Sequence, residues 1–283
     1  MSDAPSRVFP AGSCDTHIHV YDSRYPVAPS ALLRPPDASV TDYRRFQRWL
    51  GLDRTVVVQP TTYGLDNRCQ LEAVEALAGL TDAARAVVVV DADTTADELR
   101  QLDRLGARGA RFHMLAGGAV GWDDLAIVAS RIADLGWHVQ LQLDGRELPH
   151  RLPALVALPT PLVIDHVGRF MPPVAPGHPA FVALLTLLEA GRTWVKLSAP
   201  YESTLDGAPT FPAVTTLAKA LVHAHPDRML WASNWPHPGQ REPMADDDLL
   251  RLTRDWLPDP MVCRRVLVAN PAEVYGFPPP DDP

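Results

Sequence analysis

Thr55-Val56-Val57-Val58-Gln59 and Ala86-Val87-Val88-Val89-Val90 are short β-branched runs that are apolar at consecutive positions rather than at alternate ones. A strand apolar on both faces is buried on both faces, as happens in a parallel sheet covered by helices. Between the two runs, residues 67–80 place Leu71, Val74 and Ala78 on one helical stripe, with Asn67 opening the helix. Strand, helix, strand is the parallel crossover unit.

The same alternation continues in both directions. Toward the N-terminus, residues 14–20 form a strand, and Thr41 caps a helix over residues 42–50 that Gly51 ends. Toward the C-terminus, strands are expected at 109–113, 137–143, 162–164, 193–197 and 229–231. The matching helices fall at 95–105, 123–135, 151–158, 179–189, 212–224 and 246–257. Eight strands, each followed by a helix, close naturally into a single-domain, somewhat distorted (β/α)8 TIM barrel spanning residues 1–283, with residues 1–12 and 278–283 read as flexible tails. An open doubly wound sheet is disfavoured, because no GxGxxG follows any strand and neither Gly117-Gly118 nor Gly106-Ala107-Arg108-Gly109 fits that fingerprint or a P-loop.

Composition narrows the partners. Lys and Arg total 26 against 34 Asp and Glu, and the net charge of −8 weighs against nucleic acid or an anionic membrane surface. Neither a signal pattern at Met1-Ser2-Asp3-Ala4-Pro5 nor an apolar run near the ~20 residues of a membrane span is present, so a soluble, cytoplasmic location is expected. Cys14, Cys69 and Cys263 lack CxxC spacing and read as reduced packing residues. The 29 prolines, about twice the usual share of roughly 5%, cluster at 26–36, 172–179, 236–243 and 278–283, where they stiffen loops.

In such a barrel the chemistry lies at the C-terminal ends of the strands. Polar residues collect there: His17 and His19; Gln59, Thr61 and Tyr63; Arg111 and His113; Gln140 and Gln142; Asp165 and His166; Lys196 and Tyr201; Asn234 and His237. His17 and His19, two residues apart, share one strand face. Imidazoles converging on one spot can bind a metal, relay a proton or polarise a carbonyl. Duller roles stand beside these: Asp165 as a turn cap, Lys196 and His113 facing the helical shell, and only one of Gln140 and Gln142 pointing inward.

Three segments carry a family resemblance: His17-Ile18-His19, Asp165-His166-Val167-Gly168-Arg169 and Trp231-Ala232-Ser233-Asn234-Trp235-Pro236-His237. With Val58-Gln59-Pro60-Thr61, Gly64-Leu65-Asp66-Asn67-Arg68, Trp194-Val195-Lys196-Leu197-Ser198 and Asn270-Pro271, they cover nearly the whole chain. Together they resemble the amidohydrolase superfamily, in the branch of 2-pyrone-4,6-dicarboxylate lactonase and D-galactarolactone isomerase. The resemblance implies acyl chemistry on a lactone ring. Many superfamily members hold zinc with His-x-His, histidines on strands five and six, and an aspartate on strand eight. This chain offers Gln142 and Asn234 instead, and neutral amides are poor zinc ligands. A site without cofactor is expected, in keeping with the branch; zinc on His17, His19 and His166 is the alternative.

The departures shape the expected mechanism. Asn234, an aspartate in the lactonase pattern, cannot accept a proton, so a neutral histidine, His17 or His166, is the expected base. Arg111, joined by Arg169, is expected to hold a carboxylate. His17 and His19 polarise the ring carbonyl, Asn234 orients the attacking oxygen, and His166 takes its proton. Thr61, Tyr63, Gln142, Tyr201, Glu202 and His237 complete the contacts to a small-molecule lactone with one carboxylate and several hydroxyls. Attack by water makes the protein a lactonase. Attack by a substrate hydroxyl makes it an isomerase, the pattern that Gln142-Leu143-Asp144-Gly145, Gly117-Gly118-Ala119-Val120 and Tyr201-Glu202-Ser203 resemble. A zinc-dependent amidohydrolase or decarboxylase is the reading from another class.

Overall fold

In the computed structural model, which describes residues 8–79 and 83–278, strands and helices alternate eight times. Their order is β1 (Cys14–Ile18), α1 (Val40–Leu50), β2 (Arg54–Val58), α2 (Arg68–Ala78), β3 (Ala84–Val88), α3 (Ala96–Arg104), β4 (Ala107–His113) and α4 (Trp122–Ile132). It continues with β5 (His138–Gln142), α5 (Leu148–Val156), β6 (Leu162–Ile164), α6 (Pro179–Glu189), β7 (Thr193–Leu197), α7 (Pro212–Ala224), β8 (Met229–Trp231) and α8 (Asp246–Trp256). Each strand pairs in parallel with the next, in the order β1 to β8. The result is a nearly closed TIM barrel. Its seam is held by Thr16 Oγ1 donating to Trp231 O at 2.9 Å, Asn234 N to His17 O at 3.0 Å and His19 N to Trp235 O at 2.9 Å. Among the described residues no helix is long and apolar enough to cross a membrane.

Several expected boundaries shift for identifiable reasons. The cap of α1 is Ser39, not Thr41: Ser39 and Asp42 form a reciprocal capping box, which needs the acid three residues beyond the cap. Strand β3 ends at Val88 rather than residue 90, because the Asn67 side chain takes both backbone groups of Val89, at 2.9 and 2.8 Å. Asn67 still opens α2 from the N-cap position, as expected, although its side chain is spent on Val89 and not on the helix. Helix α2 ends at Ala78, before Gly79; residue 80, expected inside it, lies outside the described residues. Helix α5 begins at Leu148, with Pro149 in the first turn, where a missing N–H is no loss. Phe9 is buried, packs edge-on against Trp231 and donates its N–H to Leu50 O, so residues 9–12 belong to the packed structure and not to a tail.

Two cores result. The larger lies between sheet and helices; the smaller fills the barrel with Cys14, Val56, Val58, Val87, Val163, Trp194 and Leu230. Gly109 is required in the interior, since a Cβ there would lie 2.5 Å from the His138 ring. After α8 the chain forms α9 (Pro260–Arg264), a π-helical turn (Arg265–Ala269) and α10 (Asn270–Tyr275). Tyr275 and Phe277 then close the N-terminal end of the barrel, with Arg54 and Arg85 stacked on the Phe277 ring at 5.4 and 4.7 Å.

Candidate active site

The register of β1 to β2 shifts between Asp15 and Ile18, a bulge that breaks the two-residue period. Without it, interior Cys14 and His17, three positions apart, would face opposite sides. With it, His17 and His19 both turn inward, while Asp15 turns to Ser233, accepting from its N at 2.9 Å and its Oγ at 2.5 Å.

At the centre of the barrel lies a layer of polar groups fully removed from water. Lys196 Nζ donates to Thr16 O at 2.8 Å and Gln140 Oε1 at 2.7 Å, and stands 3.3 Å from His17 Nδ1 and 3.6 Å from Asp165 Oδ1. Gln140 Nε2 donates to Asp165 Oδ2 at 3.1 Å, which settles the orientation of the amide. Burial draws the Lys196 pKa down to about 8, opposed by the Asp165 charge. Burial would raise Asp165, yet beside the Lys196 ammonium the carboxyl stays well below its usual range.

Above this layer stand the histidines. His19 Nδ1 donates to Val58 O at 2.7 Å, and His17 Nε2 lies 3.1 Å from His19 Nε2. Burial, reinforced by Lys196 at His17 and Arg111 at His19, holds both imidazoles well below the ordinary histidine value. Both are therefore neutral near pH 7. His166 Nδ1 meets Ser198 Oγ at 2.9 Å, and burial lowers its pKa as well.

A cavity of about 330 Å³ opens over the strand ends. Its polar wall includes His19, Thr61, Arg111, Gln142, His166, Arg169, Glu202 and Asn234, together with Tyr21 and His113; Leu32, Leu33, Leu115 and Pro238 form an apolar lip. Arg111, 4% exposed, donates to Gln59 O at 2.7 Å and Gln142 Oε1 at 2.9 Å, while its Nε has no partner. Among the described residues no carboxylate lies within ion-pair distance of it. Arg169 instead faces Glu202 at 3.4 Å, and Gln142 Nε2 reaches the same carboxylate at 3.4 Å. Asn234 Nδ2 donates to Tyr201 Oη at 2.9 Å, and Tyr201 Oη meets His237 Nδ1 at 2.9 Å; Asn234 Oδ1 is buried without a partner. A larger groove of about 550 Å³ between α7, α8 and α9 has no comparable convergence, its Lys219 and Asp255 being paired with each other.

The loops after β6 to β8 are bent into unusual backbone. His166, Val167, Gly168 and Arg169 have φ of 53°, 55°, 78° and 46°, and Asn234 has 59°. Such values cost a β-branched residue most, and strain of this kind gathers where a site must hold side chains in fixed directions.

Most of the expected site residues converge, with exceptions. His17 lies behind His19 and does not line the cavity. Tyr63 is also off the wall: its hydroxyl accepts from Asp22 N at 2.8 Å and donates to Asp22 O at 3.1 Å, fastening a loop. Tyr201 and His237 stand behind Asn234. Gln140 and Gln142 both point inward, as strand residues two apart must, and Lys196 and His113 face the interior rather than the shell. Sequence reasoning missed Tyr21, Ser198 and the Leu32-Leu33 lip. The alternation from His19 to Tyr21 could have found the first of these.

A metal fits these donors poorly. His17, Asp165 and His166 do converge, with ligand atoms within 4.8 Å of one another. Asp165, however, is already matched with the Lys196 ammonium, and that cation stands 3.3 Å from His17 Nδ1. After β8 the chain supplies the neutral Asn234 amide, a poor zinc ligand, rather than a carboxylate. The donor set is one that a fixed protein cation already serves.

Fold and site define a barrel enzyme with neutral imidazoles and the buried Arg111 guanidinium around a pocket sized for a small molecule. The amidohydrolase family profile matches residues 14–277, and the chain belongs to that family. It is 37% identical over 281 residues to the D-galactarolactone isomerase of Agrobacterium fabrum, covering 98% of this chain and 95% of that one. It is 34% identical to the 2-pyrone-4,6-dicarboxylate hydrolase of Comamonas testosteroni, covering 96% and 92%. The ligand-free crystal structure of an Agrobacterium tumefaciens protein superposes with a TM-score of 0.90 at 35% identity, over 96% of this chain and 98% of that one.

Proposed function

We propose that the protein acts on a carboxylated lactone, transferring the ring acyl group to an oxygen nucleophile without a metal. The observation that carries this reading is Arg111: a buried guanidinium on the cavity wall, its Nε without a hydrogen-bond partner and no carboxylate among the described residues at ion-pair distance. A buried cation in that state calls for an anionic ligand. Arg169 is already faced by Glu202, so the pocket favours one carboxylate, with hydroxyls met by Glu202, Gln142 and Thr61.

The groups around the carbonyl have separable roles. With Nδ1 held by Ser198, His166 keeps Nε2 for the attacking oxygen's proton, and burial keeps the ring neutral and able to accept it. Asn234 Oδ1, unpartnered, orients the hydrogen of that oxygen. To reach the proton on His17 Nε2, buried behind His19, the ring carbonyl must part the two rings and replace His19 as its acceptor; an oxyanion donor of this kind is often worth ~3 kcal/mol. His17 thus acts through the pair although it lies off the wall.

With water as nucleophile the outcome is hydrolysis, the activity named for the Comamonas relative. A second reading, ring migration by attack of a substrate hydroxyl, is favoured by Asn234, which removes the carboxylate that could activate water, and by the similarity to the Agrobacterium isomerase. Proton NMR and mass spectrometry of an aldarolactone panel in heavy-oxygen water test both: label in the product means hydrolysis, unlabelled ring exchange means isomerisation. Turnover of neither aldarolactones nor pyrone dicarboxylate would sink the lactone reading.

A further inference from the structure

A lysine fully buried in the middle of a barrel is costly unless it has a task, and the acyl transfer above does not use Lys196 directly. Hydrogen-bond directions show what it does. His19 donates from Nδ1 to Val58 O, so in the neutral ring Nε2 carries a lone pair. The 3.1 Å contact to His17 Nε2 then requires a proton on His17 Nε2. A neutral His17 has only one proton, so its Nδ1 must be bare. Two groups compete to decide this. Asp165 Oδ1, 3.4 Å from Nδ1, favours a proton there; Lys196 Nζ at 3.3 Å and Gln140 Nε2 at 3.4 Å offer hydrogens to a bare nitrogen. Gln140 Nε2 gives one hydrogen to Asp165 and can turn the other toward Nδ1, but it is a neutral donor at the longer distance, and the ammonium is the stronger of the two.

We infer that Lys196 is a positioning residue: by donating to His17 Nδ1 and matching the Asp165 charge, it keeps a proton between the Nε2 atoms of His17 and His19. Resting on the lactone reading, this proton is the one that polarises the carbonyl. Removing the ammonium hands Nδ1 to Asp165; the proton moves to that side, and the two Nε2 lone pairs are left facing each other.

The test uses the full-length protein with nitrogen-15-labelled histidine, comparing wild type, Lys196→Met and the charge-balanced Lys196→Met/Asp165→Asn. Imidazole nitrogen spectra near pH 7 report the tautomer of His17 without any substrate. Expected are an Nε2–H tautomer in the wild type, Nδ1–H in Lys196→Met, and a return to Nε2–H in the double variant, where the new amide can donate to Nδ1. With a lactone, kcat should fall about 100-fold in Lys196→Met with KM changed less than about threefold, and recover to within about tenfold in the double variant. A His17 that stays Nε2–H in Lys196→Met overturns the inference. Should that variant fail to fold, Nδ1–H in the double variant does the same. A tautomer switch in a protein that turns over no lactone would support the role of Lys196 and refute the substrate reading, so the two fail separately.

Discussion

Arg85 and Arg111 are buried to nearly the same degree, at 3% and 4% exposed, but stand at opposite ends of one barrel. At the closed end Arg85 donates to Tyr275 O, Gly276 O and Ala84 O and lies against the Phe277 ring. At the open end Arg111 donates to two neutral oxygens and keeps Nε free beside the cavity. Residue type and burial do not separate them. What does is whether the chain itself supplies the acceptors: the C-terminal segment plugs one end, and at the other the Arg111 Nε is left without one, the place proposed above for the substrate carboxylate.

The comparison can be broken most sharply at the open end. His166→Asn should lower kcat about 1,000-fold while leaving the circular dichroism spectrum and melting temperature near wild type, since it removes a proton acceptor and not a packing group. Arg111→Lys keeps the charge but loses the planar fork. KM for a carboxylated lactone should rise about 30- to 100-fold, the loss of one charge-assisted contact of ~2–3 kcal/mol, with a smaller change in stability. The mirror experiment is Arg85→Met. It should cost ~1–3 kcal/mol in urea unfolding, because the carbonyls of Tyr275 and Gly276 lose their donor, with KM unchanged. If Arg85→Met raised KM as much as Arg111→Lys, the division between plug and receptor would be wrong.

Acidity gives a further handle. Burial, with the Arg111 charge in support and the Asp165 and Asp15 carboxylates opposing, lowers the pKa of Lys196, which also faces His17, to about 8. Activity should therefore decline above about pH 8 as the ammonium is lost. Stability moves the other way: the unfolded chain keeps this proton up to its ordinary value of 10.5 while the folded chain has released it, so the Lys196 contribution to stability rises with pH between about 8 and 10.5. Paired pH profiles of kcat and of urea unfolding check both signs. The smallest expected effect is that of a chelator: prolonged dialysis against EDTA should leave kcat within about twofold, because Lys196 already serves the carboxylate a metal would claim.

Much of this molecule was legible in the order of its residues. The doubly apolar runs at Val56–Val58 and Val87–Val88 required a parallel sheet under helices, since a strand polar on neither face has nowhere else to be stable. Strands β6, β7 and β8 and helices α6 and α7 fall where periodicity and Pro placement put them, and the strand-end rule selected Arg111, His166 and Asn234 for the cavity wall. Only the tertiary structure decided which polar groups satisfy one another. The bulge in β1 overrides strict alternation, so no period count shows that Cys14 and His17 share the interior. Lys196 finds Thr16 and His17 about 180 residues away, Tyr63 spends its hydroxyl on Asp22, and Arg85 is saturated where Arg111 is not. Hydrophobic periodicity is local, because each strand or helix needs an apolar face regardless of its neighbours. Hydrogen-bond satisfaction and proton placement are properties of groups brought together from distant segments, and they exist only once the barrel has closed.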